Sequence, residues 1–178
     1  MNKIKNKKCK ACQELFTPFS SLSKACSPVC ALKIVDDANK KKEKRQLKIR
    51  KDLLKTRVDW LREAQAIFNK FIRLRDEKEP CISCGRHHVG QYHAGHYRTI
   101  GSSPELRFNE LNVHKQCSAC NNHKSGNIVE YRLNLINKIG SKALDELEGP
   151  HEPLKLSIDD IKELKKEYAR KYKELERL

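Results

Sequence analysis

The sequence predicts an α+β protein in which two small cysteine-braced modules are separated and followed by long charged helices. Three features of the 178-residue chain carry that prediction. Its eight cysteines form four close pairs, Cys9/Cys12, Cys26/Cys30, Cys81/Cys84 and Cys117/Cys120, which group as two sets of four. No Gly or Pro interrupts Asp36 to Glu79, where apolar residues recur at helical spacing. Between Cys84 and Cys117, by contrast, Gly85, Gly90, Gly95, Gly101 and Pro104 favour short strands and loops.

The first module occupies residues 1–35, with turns at Thr17-Pro18 and Ser27-Pro28. Residues 36–79 read as one long helix or two. Leu54, Val58, Leu61, Ala64, Phe68, Phe71 and Ile72 form the apolar side, and Trp60, the only tryptophan, is the expected core anchor. The first half, Lys40 to Arg57, is charged on nearly every face, which suits solvent or a phosphate backbone. Glu79-Pro80 is expected to end the helix, because the residue before proline is pushed out of helical geometry.

The second module spans residues 80–140. After Cys120, the recurrence of Ile128, Tyr131, Leu135 and Ile139 predicts a helix stopped by Gly140. Residues 141–178 combine a linker, opened at Gly149-Pro150, with a carboxy-terminal amphipathic helix. Ser157 is its N-cap and Asp160 completes a variant capping box. Ile161, Leu164, Tyr168, Tyr172 and Leu175 make one apolar stripe on this helix. The stripe must be covered, either by the Leu54 to Ile72 segment or by a second copy of the chain in a homodimer.

Composition narrows the partners. Only 38% of residues are hydrophobic while 34% are charged, and the formal net charge of +15 favours polyanions, nucleic acid first. The excess is concentrated. Residues 1–10 hold five lysines and no acid, and residues 40–57 hold ten basic residues against Glu43 and Asp52. Lys41, Lys44, Arg45 and Lys48 in the second stretch are candidate phosphate contacts. The longest run without a charged residue is the eleven residues His87 to Tyr97, far below the roughly 20 apolar residues that span a bilayer. No apolar segment follows the lysine-rich amino terminus, as a secretory signal requires. A cytoplasmic protein with reduced cysteines is the expectation, and no membrane partner.

In that setting the cysteine spacings read as metal sites. Two residues between ligands let both thiolates of a pair turn toward one ion, and four thiolates suit tetrahedral Zn²⁺. Cys81, Cys84, Cys117 and Cys120 are assigned to one structural zinc. Cys9, Cys12, Cys26 and Cys30, with one slightly longer pair, are assigned to a second. A four-cysteine shell is closed, so neither ion leaves a position for chemistry.

Six of the seven histidines, His87, His88, His93, His96, His114 and His123, lie between the start of the second module and the residues just past Cys120. The order CISC at 81–84, YHAGHY at 92–97, NELNVHKQC at 109–117 and CSACNNHKSGN at 117–127 resembles the zinc-braced form of the HNH endonuclease module, a ββα-metal fold, over about Pro80 to Ile139. The resemblance implies His96 as general base, Asn112 before the second cysteine pair, and Asn121 as ligand of one catalytic Mg²⁺ or Mn²⁺. Such chemistry needs a proton acceptor for the attacking water and a hard cation at the scissile phosphate. Most members carry Asp immediately before the catalytic His, as a metal ligand, and here that residue is Gly95. His93 shares a strand face with residue 95, the period being two, and is one replacement ligand. His123 competes for the ion if Asn121 caps the helix instead. His114, Arg98 and Lys124 are expected to contact nucleic acid.

Over nearly its whole length, including LRFNELNVHKQCSACNNHKSGNIVEYR at 106–132, the chain resembles the NinG family of lambdoid phages, also called Rap. That resemblance implies cleavage of branched DNA such as Holliday junctions and D-loops, alongside phage or host recombination proteins. An HNH nicking or restriction-type nuclease without branch preference, and a non-catalytic zinc protein that binds nucleic acid, are the competing expectations.

Overall fold

A computed structural model describes residues 5–177, and the chain divides into two compact units after Lys55. The amino-terminal unit opens with an antiparallel ladder, β1 (Lys7–Lys8) against β2 (Leu15–Phe16), in which Lys7 faces Phe16 and Lys8 faces Leu15. Bonds from Cys9 N to Glu14 O at 2.8 Å and from Gln13 N to Cys9 O at 2.9 Å close the loop that carries Cys9 and Cys12. Helix α1 (Pro28–Leu53) follows. The Ser27-Pro28 step, expected as a turn, is its start: the Ser27 hydroxyl accepts from Cys30 N–H, and proline sits in the first turn where no N–H partner is needed. The boundary expected at residue 35 therefore falls inside α1, because Cys30 belongs to both the cysteine cluster and the helix. No residue of α1 is buried. Among the described residues of this unit only Cys9 and Pro18 are.

The long helical segment is two helices. Thr56 caps α2 (Arg57–Arg75) through a reciprocal box with Asp59. Leu54 and Val58, expected on the apolar side, are 83% and 60% exposed, since they lie at the end of α1 and in the first turn of α2. The remaining stripe behaves as read: Trp60, Ala64, Phe68, Phe71 and Ile72 are buried. Helix α2 stops at Arg75, ahead of the Glu79-Pro80 step. Asp76 ends it by turning its carboxylate to the Lys115 backbone N–H at 3.0 Å and to the Arg75 guanidinium.

Strands β3 (Tyr92–His96) and β4 (Val113–Cys117) pair antiparallel, with Gly95 opposite His114 and His93 opposite Gln116. A one-turn π-helical segment, Ala119–His123, follows β4, and three residues with positive φ, Ser125, Gly126 and Asn127, separate it from α3 (Ile128–Ile139). Gly140, at φ 84°, ends α3 as expected and leads directly into α4 (Ser141–Glu148), where a linker was expected. Leu144 and Leu147 of α4 are buried with Tyr131 and Leu135 of α3, Ile82, Tyr97 and Leu106. Helix α5 (Ile158–Leu175) has the Ser157–Asp160 capping box read from the sequence.

The larger core joins α2, α5 and the β3–β4 sheet. Phe68 meets Tyr168 edge to face at 4.7 Å and Phe108 at 5.6 Å. Leu164, Tyr172 and Leu175 pack on the same cluster, so the α5 stripe is covered within the chain and is not left for a second copy. The architecture is α+β. Among the described residues no helix is long and apolar enough to cross a membrane.

Candidate metal and nucleic-acid site

Each cysteine set converges as its spacing predicts. In both groups the four Sγ atoms lie within 4.8 Å of one another. Cys12 to Cys26 and Cys26 to Cys30 are each 3.6 Å, and thiolates bound to Zn²⁺ at about 2.3 Å in tetrahedral geometry stand roughly 3.8 Å apart. Cys26 is pushed up to about 12 by the neighbouring thiols of Cys12 and Cys30, while the Cys12 backbone N–H chiefly draws Cys9 down to about 6. A divalent cation is what lets four such thiols share the thiolate form. In the second set, the turn after Pro80 presents Cys81 and Cys84, the last residue of β4 is Cys117, and the π-helical turn that follows presents Cys120. Cys81 Sγ accepts the Cys117 backbone N–H at 3.3 Å. His88 Nε2, which the sequence did not tie to the cluster, stands 3.1 Å from Cys84 Sγ. Both sets can hold zinc.

Beside the second cluster lies a cleft of about 370 Å³ lined by His96, Gln116, Asn121, Ser125, Gln65 and Asn69, among others. The end of β3 places His96. Its Nε2 is 3.0 Å from the carbonyl oxygen of Arg107, and Arg107 is itself held by Gln65 Oε1 at 2.8 Å. A carbonyl only accepts, so Nε2 carries the proton and Nδ1 is the free lone pair. Burial first, and then the Arg107 charge, lower the His96 pKa and outweigh the hydrogen bond to the Arg107 carbonyl, which acts to raise it. A neutral imidazole with its second nitrogen free is a proton acceptor.

Asn121 reaches the same cleft from the π-helical turn. The other expected site residues are placed differently. Asn112 is fully buried, and its amide accepts from Arg98 N at 2.7 Å and donates to Arg98 O and Leu106 O. It staples the loop after β3 and does not line the cleft. His114, expected to touch nucleic acid, is 2% exposed, with Nδ1 3.3 Å from Tyr131 Oη. Burial, assisted by Arg75, takes it down to about 3, so it is a neutral packing residue. His93 is half-buried outside the cleft lining, its Nε2 enclosed without a partner. His123 ends the π turn, exposed and also outside the lining. Arg98 is engaged with Ser103 Oγ at 3.3 Å, whereas Lys124 is exposed.

Gln65, Asn69, Arg107 and Gln116 were missed by sequence reasoning. For Gln116 a signal existed, since in a strand it shares a face with His114, two residues earlier. In the amino-terminal unit, Lys41, Lys44, Arg45 and Lys48 are all exposed on α1.

A family model described as Bacteriophage Lambda NinG protein matches residues 1–177. The chain belongs to the NinG family. It is 44% identical to "Protein ninG" of Escherichia phage lambda over 195 residues, covering 98% of this chain and 96% of that protein. Against the ninG protein of Salmonella phage P22 the identity is 43% with the same coverage, and against that of Escherichia phage 933W it is 42%. No solved structure matches the chain.

Proposed function

We propose that this protein is a metal-dependent endonuclease of the HNH, ββα-metal type that cleaves branched DNA. The observation that carries the reading is the His96–Arg107 pair, which fixes a neutral imidazole with a free nitrogen in a cleft shared with the Asn121 amide. His96 takes the proton of the attacking water. Its burial keeps it unprotonated at neutral pH, and Gln65, through Arg107, holds its ring in place. Asn121 supplies an oxygen donor, the kind a hard divalent ion accepts, and among the described residues no thiolate lines this cleft. Bound there, Mg²⁺ or Mn²⁺ would polarise the scissile phosphate and stabilise the leaving oxygen. Lys124 and the basic face of α1 supply phosphate contacts that carry affinity without sequence information.

The preference for branched DNA, and action in the host cytoplasm beside recombination proteins, rest on the sequence resemblance. The test is cleavage of a synthetic four-way junction and of its linear arms at equal concentration, with Mg²⁺, Mn²⁺ or EDTA. Junction strands should be cut only with the divalent ion, and His96→Ala should abolish cutting while leaving affinity within a few-fold. Equal cutting of junction and arms would assign a nuclease without branch preference. Binding with no metal-dependent cutting would make this a non-catalytic zinc protein.

A further inference from the structure

A side chain at position 95 would have to displace the Gln116 amide. A Cβ built on Gly95 would stand 2.0 Å from Oε1 of Gln116, 2.9 Å from its Cδ and 3.1 Å from its Cβ. The oxygens of an aspartate lie about 2.4 Å from its own Cβ, from ordinary C–C and C=O lengths. Gln116, arriving from the neighbouring strand, thus brings an amide oxygen into the volume that a carboxylate on residue 95 would enter. The orientation of that amide is set by its partners. Nε2 donates to Ser83 Oγ and to Gly126 O, each at 2.5 Å, and a backbone carbonyl only accepts, so the NH₂ must face it. Oε1 makes no hydrogen bond among the described residues, and Gln116, though 1% exposed, is part of the cleft lining with His96 and Asn121.

We propose that Gln116 supplies the oxygen ligand that Gly95 lacks, holding the divalent ion together with Asn121. The assignment rests on the nuclease reading above. It has its own consequence, because among the described residues no carboxylate lines the cleft. A neutral donor set binds a hard dication weakly, and a DNA phosphate must complete the charge. Ion affinity should therefore be low for the protein alone and rise when DNA is bound.

The experiment titrates Mn²⁺ into full-length, zinc-loaded protein in the His96→Ala background. Free ion is read by electron paramagnetic resonance, with and without a four-way junction. Zinc content and thermal melting accompany each variant. Gln116→Ala should weaken Mn²⁺ binding to the DNA complex about tenfold or more. Gly95→Asp/Gln116→Ala should restore it to the original affinity or beyond, and should bind Mn²⁺ without DNA as well. A merely structural Gln116 predicts no rescue, because an aspartate at 95 cannot donate to Gly126 O. Should Gln116→Ala alone lose its zinc or melt early, Gly95→Asp/Gln116→Ala is compared with Gly95→Ala/Gln116→Ala, which differ only in the carboxylate. Unchanged Mn²⁺ affinity in Gln116→Ala, no difference between the two double variants, or loss of the ion with His93→Ala alone overturns the assignment. If the parent protein with His96 intact cuts DNA with Mg²⁺ while any of these holds, only the role of Gln116 falls. If the parent neither binds Mn²⁺ nor cuts, the nuclease reading falls with it.

Discussion

Asp76 Oδ2 accepts the backbone N–H of Lys115 at 3.0 Å, joining the end of α2 to the middle of β4. The same carboxylate receives Arg75 Nε at 2.8 Å and has Lys138 Nζ at 3.6 Å. Arg75 in turn donates to the carbonyls of Glu110 and Val113 at 2.9 and 2.8 Å. Burial alone would raise the Asp76 carboxyl, yet these partners hold it below the ordinary carboxylate value. Asp76→Ala leaves the guanidinium and a buried strand N–H uncompensated. It should destabilise the larger unit by about 3–5 kcal/mol, read as a lowered urea midpoint with the slope unchanged.

His96 is predicted to impose an acid limit on cleavage. The proposed mechanism needs the neutral ring, whose pKa is lowered by burial and by the Arg107 charge. Single-turnover rates should therefore stay flat as pH falls through the ordinary imidazole value and drop only below it. Arg107→Met removes the charge while keeping the carbonyl that holds Nε2, so the acid limb should move to higher pH. A limb that does not move would assign the titration to another group.

His114 gives a stability prediction with the sign fixed by linkage. Its folded pKa of about 3 lies below the ordinary value of 6.5. The folded state thus binds fewer protons than the unfolded chain between these values, and stability is intact above 6.5 and lost as pH falls through that window. The slope approaches about 1.4 kcal/mol per pH unit for one group. Beyond burial, the ring faces the positive charges of Arg75 and Lys138 and the opposing charge of Asp76. His114→Asn keeps a donor for Tyr131 Oη and does not titrate. It should be less stable at pH 7 yet show a flatter fall from pH 6.5 to 5 in denaturant titrations.

What the sequence made legible were features whose cause is local. The Ser157–Asp160 box, the stop at Gly140, the α2 stripe from Trp60 to Ile72 and the cysteine spacings each depend on a few neighbouring residues, and each is present. Features set by distant partners were not legible. Helix α2 ends at Arg75 because Asp76 has a partner in β4, which no spacing near Glu79-Pro80 reveals. The eight residues of α4 carry too short an apolar pattern to predict a helix, and only their burial against α3 shows why they form one. In the cleft, a motif reading selects Asn112 and His114 by position, but both side chains turn to buried partners. Gln116 is held in the cleft by Ser83, 33 residues away in sequence, and by Gly126, beyond the second cysteine pair.

Zinc is predicted to matter most in the amino-terminal unit. Among its described residues only Cys9 and Pro18 are buried, so no apolar core exists there to replace the metal. Folding free energy must come from the four thiolates and their ion. Elemental analysis should find two zincs per chain. Cys12→Ser should release one of them and unfold the loop around Cys9, while leaving the near-ultraviolet signal of Trp60 intact, because that ring is buried in the α2–α5 core. Cys117→Ser should release the other and disturb the cleft. One zinc in the parent protein would remove the amino-terminal site.

Lys41, Lys44, Arg45 and Lys48 fall at i, i+3, i+4 and i+7, one face of α1. All four are exposed, and among the described residues none forms an ion pair, so their charges are available to a polyanion. Each phosphate contact releases counterions, and losing one should reduce the slope of log affinity against log salt by roughly one unit. Alanine removes the charges and keeps helix propensity, so circular dichroism should hold while binding changes. The quadruple variant should bind four-way junction and linear duplex more weakly by the same factor and with a flatter salt dependence. Phosphate contacts position DNA without reading it or taking part in bond cleavage, so the single-turnover rate at saturating protein should be nearly that of the parent. An unchanged salt slope would make this face of α1 a solvated surface. The affinity for DNA would then have to come from the lysines of residues 1–10 or from the cleft itself.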